Sequence, residues 1–183
     1  MRIISGNWKG HRLKTVKGSK TRPTSDKVKG AIFNILGDKV LEARVLDLFA
    51  GTGNLSWEAL SRGAAGAVLI EKNTDAWNTA VENKTMLGAE SMANVLKMDV
   101  FSFLSKNDQE RFDLIFLDPP YRQGLVDKAL STVKDLSLLK LNGVIIAETA
   151  STEKIEGNLI PLRLMLTKKY GDTKIWFLQE AKE

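Results

Sequence analysis

The chain has 183 residues, 43% hydrophobic and 27% charged, with four tryptophans, one histidine and no cysteine. That is an ordinary composition for one globular domain with a real core. It excludes disulfides, thiolate metal sites, a cysteine nucleophile and a histidine-rich metal centre.

The net charge of +5 is uneven. Residues 1–29 carry nine cations (Arg2, Lys9, Arg12, Lys14, Lys17, Lys20, Arg22, Lys27, Lys29) against Asp26 alone, and the remaining 154 residues carry 18 basic and 21 acidic side chains. A basic arm on a slightly acidic body attracts a polyanion. Ile3, Ile4, Trp8, Leu13 and Val16 interleave with those cations, a pattern that lets the arm fold down instead of trailing as a solvated tail. Nucleic-acid contact through Lys9, Arg12, Lys14 and Lys17 is therefore expected. No apolar run reaches the length of a membrane span, and the first residues lack the apolar block of a signal peptide. A cytoplasmic protein with no membrane partner and no metal is the expectation.

In chain order, Met1–Ile4 and His11–Thr15 read as two short strands of a basic hairpin. Arg22-Pro23-Thr24-Ser25 reads as a helix start, with Thr24 or Ser25 as N-cap and Asp26 in the first turn. Val28, Ile32, Ile35 and Leu36 form that helix's apolar stripe, and Gly37 ends it. Beyond residue 38, strands alternate with helices. Strands are predicted over Val45–Phe49, Ala67–Ile70, Asn94–Met98, Asp113–Leu117 and Gly143–Ala147. Helices are predicted at about Leu55–Arg62, from Asn73 to near Gly88, at Phe101–Lys106, and along Leu125, Ala129, Leu130, Val133 and Leu136. Leu162–Lys169 and Thr173–Leu178 flank Tyr170-Gly171-Asp172 and predict an edge hairpin. The alternation implies an α/β, doubly wound, mostly parallel sheet. Residues 1–37 read as a basic hairpin-and-helix extension of one domain, with 38–183 as its core. Trp57 and Trp77 read as core residues and Trp176 as strand packing.

Four acids mark the strands: Asp47 within the first, then Glu71, Asp99 and Asp118 at the ends of the next three. In an open α/β sheet those ends share one rim, where ligands bind. Ala50-Gly51-Thr52-Gly53 after the first strand lets bare backbone approach a ligand. Glu71 is placed to accept from both hydroxyls of a ribose, and Asp99 to meet the amino group of a purine. A dinucleotide oxidoreductase competes, but Ser56 stands at the third glycine position of its fingerprint and Asp118-Pro119-Pro120-Tyr121 goes unexplained. A phosphate-cradling P-loop is excluded, because no Gly-Lys-Ser/Thr follows the turn.

Asp47-Leu48-Phe49-Ala50-Gly51-Thr52-Gly53 resembles the first motif of S-adenosylmethionine-dependent methyltransferases, and Asp118-Pro119-Pro120-Tyr121 is similar to the fourth motif of those that methylate exocyclic amines. Further segments extend the likeness: Arg2-Ile3-Ile4-Ser5-Gly6, Arg22-Pro23-Thr24 with Asp26-Lys27-Val28-Lys29, Phe33-Asn34, and Ala59-Leu60-Ser61-Arg62-Gly63-Ala64. Together they resemble the bacterial 16S rRNA guanine-N2-methyltransferase family over nearly the whole chain. One departure is Gly30, where that family usually carries an acid.

The resemblance implies a Rossmann-like, seven-stranded fold and S-adenosylmethionine as cofactor. Asp47, Phe49, Gly51, Gly53, Glu71, Lys72, Asp99 and Val100 would surround the cofactor, with Arg22 and Thr24 lying over it. It implies a guanine of 16S rRNA, presented on the small subunit or its assembly intermediate, as the substrate of a monomeric enzyme. A guanine amine is a poor nucleophile, because its lone pair is delocalised into the ring. The Asp118 carboxylate and the Pro119 carbonyl would accept its two hydrogens, Pro120 would hold that carbonyl outward, and Tyr121 would stack on a base flipped from its helix. A DNA adenine-N6 or protein glutamine methyltransferase shares this chemistry. A non-catalytic RNA-binding assembly factor is the alternative of another class.

Overall fold

The computed structural model describes residues 1–16, 25–106, 110–156 and 159–180. Its elements are α1 (Asp26–Leu36), β1 (Arg44–Asp47), α2 (Asn54–Ser61), β2 (Gly66–Glu71), α3 (Thr74–Met86), β3 (Ala93–Lys97) and α4 (Val100–Leu104). There follow β4 (Phe112–Leu117), α5 (Leu125–Asp135), β5 (Leu139–Ala150), β6 (Leu162–Tyr170) and β7 (Thr173–Glu180). One sheet of seven strands runs in the order β3-β2-β1-β4-β5-β7-β6. The first five of these positions are parallel, and β7 enters antiparallel between β5 and β6. This is the doubly wound, Rossmann-like architecture expected.

The apolar run of β4 explains its central place. Leu114 and Phe116 point to one face, where α1, α2 and α3 supply Ile32, Phe33, Leu36, Trp57, Leu60 and Ala80. Ile115 and Leu117 point to the other, against Leu104, Leu130 and Val133 of α4 and α5. A strand buried on both faces needs no polar alternation. Trp57 is fully buried, and Trp77 packs half-buried against the first cluster. Trp176 is buried and donates from Nε1 to Thr149 Oγ1 at 2.9 Å. Among the described residues no helix is long and apolar enough to cross a membrane.

Four expectations are corrected. The N-terminal hairpin is a single antiparallel bridge between Arg2 and Arg12, not a pair of strands. It is fastened to α2 instead: Ile4 and Ser5 N–H donate to Glu58 at 2.9 and 3.1 Å, and Trp8 N–H donates to Ser61 Oγ at 2.9 Å. Gly6 is required there, since a Cβ would lie 1.8 Å from the Ser61 carbonyl oxygen. The fifth strand starts at Leu139, four residues earlier than expected. A register shift against β4 between Phe112 and Leu114 admits Lys140–Gly143, with Asn142 at φ 66. Leu136 does not join the buried stripe of α5. It is 42% exposed, and Ser137 at φ 50 turns Leu138 into the core in its place. Lys29, counted among the nine cations of residues 1–29, is wholly buried.

Ser25 caps α1, accepting from Val28 N–H. The other candidate cap, Thr24, lies outside the described residues, as do Arg22 and Lys17. Gly30 lies within α1, where a Cβ would meet Ile4 Cδ1 at 3.4 Å, an ordinary contact. Close packing therefore does not demand glycine at that position.

Candidate functional site

Register fixes which residues share the rim. Asp47 pairs with Leu69 of β2 and with Phe116 of β4, so Phe49, Glu71 and Asp118, each two residues further, stand level. Leu117 pairs with Ala147, which puts Glu148 of β5 beside Asp118. Asp99 lies two residues beyond Lys97, the β3 partner of Glu71. Glu71 and Asp118 are thus two strands apart, about 10 Å at the usual strand spacing. They flank β1, where the strand order reverses and doubly wound sheets place their ligands.

The turn after β1 is held from several sides. Gly51 (φ 54) and Gly53 (φ 85) take the left-handed conformation that favours glycine. A Cβ on Gly53 would lie 2.2 Å from Trp57 Nε1, whereas one on Gly51 would meet nothing within 4 Å. The inner side of the turn is therefore closed by Trp57 and its outer side is open. Trp57 Nε1 donates to the Thr52 carbonyl at 2.7 Å, and Asn83 Nδ2 donates to the same oxygen at 3.1 Å. Glu71 Oε2 accepts the Gly51 N–H at 2.8 Å, and Oε1 accepts the Asn73 N–H at 2.7 Å. Each oxygen keeps a second lone pair for a ligand hydroxyl. Lys72 beside it is exposed.

Asp99 caps α4, with Oδ1 accepting from Phe101 and Ser102 N–H at 2.9 and 3.2 Å, and it is exposed at the rim. Val100, the first residue of α4, is buried. Phe49 is half-buried. Asp47 is 2% exposed and accepts from Ser56 Oγ at 2.7 Å, so its carboxyl supports the turn from beneath. Burial pushes that carboxyl up to about 7, against the Ser56 hydrogen bond that favours its charge. Together the open glycine, the carboxylate with spare lone pairs and the exposed Asp99 fit the amino acid, ribose and base of a nucleoside such as S-adenosylmethionine.

On the β4 side, Asp118 is half-buried, Pro119 buried and Pro120 exposed. The Tyr121 ring is 37% exposed. Its hydroxyl donates to Glu148 Oε1 at 2.5 Å and lies 3.0 Å from Thr173 Oγ1. Burial, and then Glu148, hold the phenol above its ordinary pKa. Glu153 ties the adjoining loops, accepting Arg122 N–H at 2.7 Å and Ala150 N–H at 2.8 Å. Pro119, Pro120, Tyr121, Glu148 and Glu153 line one small cleft.

The basic arm is fastened to α2 and is tied through Asn83 to the glycine turn. Lys9, Arg12 and Lys14 are exposed, although Lys14 Nζ pairs with Glu82 at 3.0 Å. Lys29 Nζ donates to the Arg2 carbonyl at 2.6 Å and Asn54 Oδ1 at 2.8 Å, and lies 3.5 Å from buried Glu58. Burial lowers its pKa, and the Glu58 charge opposes that shift. Sequence reasoning missed Lys29, Ser56, Asn83, Glu148, Glu153 and Thr173. Glu148 alone left a local signal, as the acid that directly follows the apolar run Val144–Ala147.

The family model described as "Conserved hypothetical protein 95" matches residues 1–179. The Bacillus subtilis protein YlbH is 36% identical over 177 residues, covering 96% of each chain. The Escherichia coli protein named Ribosomal RNA small subunit methyltransferase D is 36% identical over 149 residues, covering 81% of this chain and 74% of the relative. Among solved structures, Escherichia coli yhhF superposes with a TM-score of 0.90 at 32% identity, covering 100% of this chain and 99% of the other. A Thermus thermophilus 16S rRNA N2 G1207 methyltransferase, solved with AdoMet and guanosine, gives a TM-score of 0.67 at 25% identity, covering 91% and 45%.

Proposed function

The chain belongs to the bacterial 16S rRNA methyltransferase family, and we propose that it methylates the exocyclic N2 amine of a guanine in 16S rRNA. The carrying observation is the rim itself: Asp118-Pro119-Pro120-Tyr121 stands level with Glu71 across the strand that bears the glycine turn. S-adenosylmethionine is the methyl donor, held by the turn at Phe49, Gly51 and Gly53, by Glu71 and Lys72, and by Asp99 and Val100. When bound it supplies an electrophilic methyl group on a sulfonium.

The protein's own residues prepare the acceptor. Asp118 and the Pro119 carbonyl accept the two amine hydrogens, which localises the nitrogen lone pair towards the donor side. Pro120, with no N–H, keeps that carbonyl turned outward, and Tyr121 offers its ring to the base. Positioning and electrostatics supply most of the rate. Asp118 need not be a strong base, because the methylated nitrogen is acidic and sheds its proton readily. Residues 38–183 act as the catalytic core and 1–37 as its extension, whose cations dock the small subunit or its assembly intermediate in the cytoplasm. The protein acts as a monomer.

The test is to incubate the protein with small subunits from cells lacking it and labelled S-adenosylmethionine, then to digest the RNA to nucleosides. Label in N2-methylguanosine supports the proposal. Label in another nucleoside, or none, refutes it.

A further inference from the structure

The geometry points to Glu148 and Thr173 as positioning residues that hold the Tyr121 ring as a fixed platform for the target base. The inference rests on reading Asp118–Tyr121 as the acceptor site.

The ring is held at both ends. Its near end follows Pro119-Pro120 and precedes Arg122 at φ 59. Its far end is bound to Glu148 Oε1 at 2.5 Å and Thr173 Oγ1 at 3.0 Å. A phenol has one proton to give. With that proton on Glu148, the threonine hydroxyl donates to the phenol oxygen. A directed chain Thr173→Tyr121→Glu148 thus joins β7, the loop after β4, and β5.

Glu148 occupies an expensive place. It is 6% exposed, and its neighbours Ile145, Ile146 and Ala147 are equally buried or more so. An apolar side chain would pack there at lower cost, since a buried carboxylate must be hydrogen-bonded to offset its desolvation. The bond to Tyr121 provides such an offset. The register puts Glu148 beside Asp118, so the ring is fixed against the strand next to the one that ends in the amine acceptor. Burial and the glutamate keep the phenol protonated, so the tether persists across the working pH range. A ring that cannot swing needs no ordering when the base arrives, and that prepaid order favours the reactive alignment.

The test compares Tyr121→Phe, Glu148→Ala, Glu148→Gln and the double variant Tyr121→Phe/Glu148→Ala. Methyl transfer to small subunits and S-adenosylmethionine affinity are measured for each. Tyr121→Phe keeps the ring and loses the tether, and should lower kcat/KM by about 10- to 150-fold, as for one lost hydrogen bond to a charged group. Glu148→Ala should lose a similar factor, the double variant no more than either single change, and Glu148→Gln should restore most of the activity. Cofactor affinity should stay within about twofold in all of them. Wild-type turnover by Tyr121→Phe, or multiplying losses in the double variant, overturns the inference. If Glu148→Ala does not fold, Tyr121→Phe and Glu148→Gln still decide. Failure of wild-type protein to methylate RNA would instead sink the functional reading.

Discussion

Asn83, wholly buried on α3, donates from Nδ2 to the Thr52 carbonyl at 3.1 Å, in the middle of the glycine turn. The same side chain accepts the Lys14 N–H at 2.8 Å and donates to the Lys14 carbonyl at 3.1 Å. One amide therefore binds the basic arm to the proposed cofactor turn. Replacing Asn83 with Ala takes this partner from the Lys14 N–H and carbonyl, two part-buried backbone groups, at about 1–3 kcal/mol each if unrelaxed, while the Thr52 carbonyl keeps Trp57 Nε1. A loss of about 2–4 kcal/mol in urea unfolding is expected, with weaker S-adenosylmethionine binding. A stable variant with wild-type affinity would contradict this.

Glu71→Ala should weaken cofactor binding by about 1.5–3 kcal/mol, the range for hydrogen bonds to a charged group. The variant also releases the Gly51 and Asn73 N–H groups that the carboxylate now holds. Calorimetry gives the dissociation constant directly. An unchanged value removes Glu71 from the site.

Asp118→Ala should behave in the opposite way. Cofactor affinity stays nearly intact, because Asp118 lies on the far side of β1 from Glu71, while methyl transfer collapses. Near-normal turnover would end the role given to Asp118.

Asp47 makes stability depend on pH. Its carboxyl titrates near 3.8 when unfolded and near 7 when folded. Between those values the folded state holds a proton that the unfolded chain has released, so stability falls as pH rises from about 4 to 7 and is flat above. Asp47→Asn removes that slope and can still accept from Ser56. Its stability relative to wild type should rise steadily over pH 4–7. A difference that does not change with pH would show that Asp47 is ionised in the fold.

The arm should govern salt dependence. Replacing Lys9, Arg12, Lys14 and Lys17 together by Ala should flatten the slope of log affinity for small-subunit RNA against log salt by about two to four units. Lys14 also pairs with Glu82, so its share should be the smallest of the described cations. The turn is tied to the Lys14 backbone and not to its ammonium, so cofactor affinity should survive. An unchanged slope would leave the arm as a cover on α2 only.

What the sequence made legible follows from how locally each feature is encoded. The β4 strand and its Pro-Pro stop stand in consecutive residues, as do the glycine turn and the caps Ser25 and Asn73. The first half of β5 was hidden because Lys140 and Asn142 break its apolar run, and only the bulge against β4 carries the strand through. Glu148 and Thr173 lie 27 and 52 residues from Tyr121, so no local pattern marks their meeting. In the sequence Lys29 is one of nine cations with nothing to set it apart, and only packing buries it between Arg2, Asn54 and Glu58. Gly53 looked like a ligand-facing residue, yet the close approach that requires it is that of Trp57.

The most direct test of guanine-N2 methylation is mass mapping of 16S rRNA from cells with and without the gene. The account predicts one N2-methylguanosine that disappears on deletion. It should return with the wild-type gene and not with Asp118→Ala. Identical methylation in both strains, or a missing methyl on another atom or base, would contradict it.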